Sequence, residues 1–298
     1  MQRLILPLAL LALVVVNLLP LANKENRERQ GKPFLAPTWS VLHLFFAAEA
    51  ILALLIALVV GYITTLVVGA AALHLPMRSI LTAIQSNDMG NARALVWFYL
   101  PATVLQNVAF FAVPTLFVAL WYRVPLREIG VTLLPPRRAV IAGIVLGVAF
   151  VFLAGGFEWG LSRLAEHFRY VPAVARMLAF EQSNPVAQMV GGLKRAGGAG
   201  LFWGLFAVAV AAPIGEEMLF RGFALTVLSR RFGNAWGLVL SAALFAGLHT
   251  YSPLGLSVVF LMGLALGHVY RTGGSIWTTI FIHGINNGVQ VLLAFYAR

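Results

Sequence analysis

Apolar runs near the length of a bilayer crossing recur along this chain, and no other feature restricts its fold so tightly. Residues 40–75 carry one charge, Glu49, and comparable runs fill 4–22, 95–121, 139–160, 200–228, 235–250, 254–270 and 275–297. A hydrocarbon core of ~30 Å takes ~20 residues of helix to cross. Lipid offers no partner to backbone N–H and C=O groups, so such runs must satisfy them internally as helix. The expected fold is all-α: a polytopic transmembrane helix bundle of about eight spans, forming one integral membrane domain over 1–298. Residues 1–22, behind Arg3, read as a retained first anchor rather than a cleaved signal. Composition agrees, with 60% of residues hydrophobic and 10% charged, against ~25% charged in soluble domains.

Polar segments separate the runs. Residues 23–38 hold Lys24, Arg27, Arg29 and Lys32, and 122–138 is basic and ends at Pro135-Pro136. Residues 76–93 read as a surface loop. Pro101 and Pro114 are expected to kink their helix. The longest polar segment, 161–199, mixes charged with apolar residues and predicts short amphipathic helices at the interface, near a substrate entrance. The net charge of +11 lies between apolar runs rather than on one soluble face. The expected partner is therefore membrane lipid, not nucleic acid. The sharing of Lys and Arg among alternate loops favours both termini outside the cytoplasm. The chain has no cysteine, which excludes thiol nucleophiles, disulfides and Cys-ligated zinc.

Within the run 200–228 lies Gly215-Glu216-Glu217-Met218-Leu219-Phe220-Arg221-Gly222. A charge at bilayer depth costs at least ~2.5–3.5 kcal/mol, so three in six residues imply use. Glu217 and Arg221, four apart, share a helical face with the acid first, the favourable order for an ion pair. Glu216 points ~100° away and has no intrahelical partner, which makes it the better catalytic candidate. Two later runs add Phe245-x-x-x-His249 and His283-x-x-x-Asn287, each pair one helical turn apart. Asn286 and Gln290 extend the second pair into a polar stripe. Taken singly, these residues also fit helix-to-helix hydrogen bonding. Together a glutamate, two histidines and an asparagine supply a base, an orienting imidazole and donors for an oxyanion. Glu49, His43, His74, Glu158, His167 and His268 are assigned to packing or interfacial solvation. The chain lacks a phosphate loop, an H-E-x-x-H motif and a G-x-S-x-G elbow.

In this order and in late membrane runs, the three motifs resemble the CPBP family of intramembrane proteases. That family includes CAAX prenyl endoproteases of the Rce1 type and bacteriocin-processing or immunity proteins (Abi). The resemblance covers about 200–297, the expected catalytic core. It implies an intramembrane endopeptidase of a bacterial cytoplasmic membrane, cutting a membrane-associated or lipidated peptide, prenylated or not. Glu216 would be the base, His249 would position the water, and His283 and Asn287 would stabilise the oxyanion. Glu217, Arg221 and Phe245 would support them. No cofactor is required in this reading. The alternative is a zinc ion held by Glu216, His249 and His283 with one open position. Two other functions compete: a non-enzymatic immunity or scaffold protein, and a proton-coupled transporter.

Overall fold

The computed structural model describes residues 40–70, 74–183, 185–273 and 275–296. The anchor expected at 1–22 and the loop expected at 23–38 lie outside them. The helices are α1 (Leu42–Gly69), α2 (Met77–Gln85), α3 (Ala92–Trp121), α4 (Arg137–His167), α5 (Pro172–Ser183), α6 (185–232), α7 (Asn234–Gly247), α8 (Pro253–Gly273) and α9 (Ile276–Tyr296). A short 3₁₀ turn, Leu126–Ile129, precedes α4. The protein is an all-α membrane helix bundle. α1, α3, α4, α8 and the stretch Pro172–Phe232, which covers α5 and α6, are long and apolar enough to cross a membrane. Val68, Leu120 and Phe152 lie exposed on them, as side chains facing lipid do.

Several expected boundaries move. Residues 76–93 contain the helix α2, because Ile80 and Ala83, three apart, bury one face of an otherwise polar stretch. The span expected at 235–250 is the 14-residue α7, only ~21 Å long at 1.5 Å per residue, so it does not cross the core alone. α9 has the length, but it is not among the five because His283, Asn286, Asn287 and Gln290 dilute its apolar character. The segment 161–199 is helical, as expected, but its first residues extend α4 to His167. Its last residues begin α6, which breaks at Gly197 (φ 61°, ψ −138°). α3 is continuous through Pro101 and Pro114, with wide π-type turns at Leu95–Tyr99 and Phe117–Trp121. Pro101 brings no N–H to the Trp97 carbonyl four residues back. The Tyr62 hydroxyl of α1 donates to that carbonyl instead, at 2.8 Å.

The second half of α6 is the centre of the bundle. One face buries Met218, Phe223 and Val227 against Ala109, Val113 and Val118 of α3. Another buries Phe220 against Phe245 of α7, Leu266 of α8 and Ile282 of α9. α3 runs parallel to α6 and comes close enough that a Cβ on Gly215 would lie 2.5 Å from the Asn107 carbonyl oxygen. α7 returns antiparallel, and α8 packs on α7. α9 also runs antiparallel to α6, and α4 lies parallel along α9. That last contact depends on Gly143 and Gly147, whose added Cβ atoms would fall 3.0 Å from Thr278 O and 3.3 Å from Ile282 Cα. Small residues permit this backbone approach in helix pairs surrounded by lipid.

Candidate active site

The site begins with a backbone irregularity. The acidic pair ends the helical stretch Ala212–Glu217, flanked by wide π-type turns at Leu205–Ala211 and Met218–Ala224. In the first of these turns the Ala212 N–H reaches back five residues to the Ala207 carbonyl. The next donor in that register is Pro213, which has no N–H. The Val208 carbonyl is thereby left open, and Asn287 Nδ2 of α9 donates to it at 2.9 Å. Asn287, expected as an oxyanion donor, therefore spends one N–H on holding α9 to α6. Its second N–H remains. Its Oδ1 accepts from Asn286 Nδ2 at 3.4 Å.

The two acids meet the same imidazole. Glu217 is fully buried, and its Oε1 accepts from Arg221 Nη1 at 2.8 Å and from His283 Nδ1 at 2.8 Å. The expected ion pair is present. The adjacent acids, pointing apart along the helix, nevertheless approach one ring from two sides, because Glu216 Oε2 lies 3.8 Å from its Nε2. An ionised carboxylate only accepts, so Glu217 fixes the Nδ1–H tautomer of His283. Donation from Nε2 then requires the doubly protonated ring. Arg221 is held from two further sides: Nη2 donates to the Gly263 carbonyl at 3.4 Å, and its guanidinium lies 4.5 Å over the Phe245 ring. Phe245 also packs edge-on against His283 and His249. Phe245 thus touches the arginine and both histidines.

His249 lies just beyond the end of α7. Its Nδ1–H donates to the Phe245 carbonyl at 2.7 Å, one of the last-turn carbonyls a helix leaves unpaired. The neutral ring then presents the Nε2 lone pair. His249, His283 and Asn287 line one cavity of about 280 Å³, together with Glu158 of α4, Glu181 of α5 and Tyr251 of the α7–α8 loop. Glu216 is set back from this lining: its side chain is 12% exposed, and Oε2 has no hydrogen-bond partner. No hydrogen bond or ion pair joins Glu216 to His249 among the described residues. Tyr251, outside the spans, has its phenol pKa pushed up by burial, then by the carboxylates of Glu216 and Glu158.

Residues 198–289 match the type II CAAX prenyl endopeptidase Rce1-like family. The match supports intramembrane protease activity of the CAAX type in general. Neither a curated protein nor a solved structure matches this chain. The Rce1-like segment takes in Glu216, Glu217, Arg221, Phe245, His249, His283 and Asn287, every residue the sequence put forward for the site.

Outside or beside that set, sequence reasoning missed several groups. Glu158, assigned to interfacial solvation, faces the cavity from α4. Asn107 is buried, its Nδ2 tied to the Thr103 carbonyl at 2.9 Å and its Oδ1 unpartnered beside Gly215. A lone Asn in the apolar run 95–121 was its only signal. Tyr251 carried no signal beyond its position two residues after His249. His43, by contrast, is a packing residue as expected, bonded to the Tyr122 hydroxyl within an aromatic cluster.

The same geometry bears on zinc. The alternative ligand set Glu216, His249 and His283 is not drawn into a coordination group: among the described residues no three His, Asp or Glu side chains are placed to hold one ion. His283 Nδ1 donates to Glu217 and His249 Nδ1 to the Phe245 carbonyl, so each ring keeps its Nε2 lone pair as a ligand would, but the two rings and Glu216 are not gathered about one point. The arrangement as it stands does not fit a three-ligand site.

Proposed function

We propose that this protein is an intramembrane endopeptidase in which Glu216 activates a water for attack on a peptide carbonyl. The reading rests on one relationship: the Glu216 carboxylate and the lining of a polar-floored cavity are joined through His283, whose other nitrogen is anchored by Glu217. A water in the cavity can accept its orientation from the His249 Nε2 lone pair. For catalysis that water reaches past the lining to the set-back Glu216, which takes its proton as the oxygen attacks and returns it to the leaving amine. The developing oxyanion meets the remaining Asn287 N–H and, when its ring is doubly protonated, the His283 Nε2–H. Glu217 and Arg221 hold that ring without supplying a net charge. Apolar walls from α4, α6 and α8, among them Phe150, Val190, Leu193 and Val259, suit a membrane-associated or lipidated peptide in a bacterial cytoplasmic membrane.

The test compares the membrane peptidomes of cells expressing the wild type and Glu216→Gln. Peptides that stay uncut only in the variant are the expected result and identify the substrate. Identical peptidomes from equally folded proteins would support the scaffold reading instead.

A further inference from the structure

A histidine that must aim one nitrogen into a cavity needs more than one restraint. His249 has a hydrogen bond at Nδ1, from its own ring to the Phe245 carbonyl at 2.7 Å. That bond anchors one edge of the imidazole but leaves the ring free to swing about the bonded edge. The edge-on contact with Phe245, at 5.0 Å between centroids and 60° between planes, limits the swing on one side only. One face of the imidazole is flanked by Tyr251, offset-stacked at 5.5 Å and 13°.

Tyr251 is itself held by the residues that follow it. Ser252 is fully buried and caps α8: its Oγ accepts from the Gly255 N–H at 3.1 Å, and its carbonyl accepts from Leu256 N at 2.8 Å. Pro253 occupies the first helical position, where its missing N–H costs nothing. A Cβ on Gly255 would lie 2.9 Å from Tyr251 Cβ and 3.2 Å from Cγ, so glycine there makes the room the tyrosine occupies. A cap, a proline and a glycine thus fix the backbone that carries the phenol ring into the cavity wall.

We propose that Tyr251 is a positioning residue for His249, its stacked ring setting the imidazole plane so that Nε2 points into the cavity. The proposal deepens the protease reading, and its consequence for turnover rests on that reading. The aromatic face does the positioning, so an aromatic replacement keeps the function and an aliphatic one loses it. The phenol stays neutral beside Glu216 and Glu158 and adds no further anion to the wall.

The test uses the full chain in detergent micelles and diethyl pyrocarbonate as the probe, with carbethoxylation of each histidine followed by peptide mass spectrometry. Tyr251→Phe and Tyr251→Trp should modify His249 at the wild-type rate. Tyr251→Leu and Tyr251→Met should raise that rate about 2- to 12-fold, the range a single ring pair supplies, with buried His283 unchanged as the folding control. With the substrate peptide in hand, the aliphatic variants should lower kcat and leave KM in place, and Phe should restore kcat. Equal His249 rates in all five proteins, or a rise in Tyr251→Phe matching that in Tyr251→Leu, would overturn the proposal. If the modification pattern holds while neither the wild type nor Glu216→Gln cleaves any membrane peptide, the stack stands and the protease reading falls.

Discussion

Glu217 Oε1 and His283 Nδ1 lie 2.8 Å apart, joining α6 to α9 through a bond that is wholly buried. The same oxygen receives Arg221. Removing one member of a buried pair leaves the other charge uncompensated and costs ~3–5 kcal/mol, whereas removing both costs less. Arg221→Met should therefore destabilise the protein strongly, and Arg221→Met with Glu217→Gln should recover part of the loss. Unfolding midpoints in micelles check this. Additive losses would contradict the pairing.

The Val208 carbonyl is open to Asn287 because Pro213 supplies no N–H. Pro213→Ala returns a backbone donor that competes for that carbonyl, and should loosen Asn287 without touching any catalytic side chain. Asn287→Ala should lower kcat by roughly 10²–10³, the loss typical of one oxyanion donor, and stability by ~1 kcal/mol for the lost hydrogen bond. Pro213→Ala should produce a smaller fall in kcat in the same direction. Unchanged kinetics in both variants would remove Asn287 from the site.

Tyr251 gives a pH signature. Burial, with Glu216 and Glu158, raises its phenol above the ordinary 10.0. Below pH 10 both the folded and the unfolded chain carry the proton, so the group contributes no pH dependence there. As pH rises past 10 the unfolded chain releases its proton first, and stability falls until the folded phenol ionises as well. The phenolate difference spectrum between wild type and Tyr251→Phe should accordingly appear at a pH above 10. Ionisation at or below 10 would contradict the placement of the phenol near those carboxylates.

Because Glu216, His249 and His283 do not share a coordination point, exhaustive dialysis against a chelator should leave cleavage unchanged, and metal analysis should find no stoichiometric zinc. Activity lost to the chelator and restored by zinc would show that the side chains rearrange into a ligand set.

Much of this site was legible because the bilayer makes polar residues conspicuous. Glu216, Glu217 and Arg221 stand out within an apolar run, and the four-residue spacings already put Glu217 with Arg221 and His283 with Asn287. What one helix cannot reveal is which neighbour it faces. The contact of both acids with His283 depends on α9 running antiparallel to α6, and the occupation of Asn287 depends on a proline-opened carbonyl on another helix. Glu158 and Tyr251 reach the cavity from segments with no motif at all. Helix boundaries blurred where polarity and length disagreed: α2 is short but amphipathic, and α7 is apolar but only 14 residues long.

The account turns on Glu216 as the base. Cleavage of the identified peptide by purified protein in lipid vesicles, wild type against Glu216→Gln, measures this most directly. The account predicts a fall in kcat of at least about 10², the smaller end of what a general base contributes, with an unaltered unfolding midpoint. Retention of kcat within about threefold of wild type by a folded Glu216→Gln protein, far less than the loss of a general base allows, would contradict it.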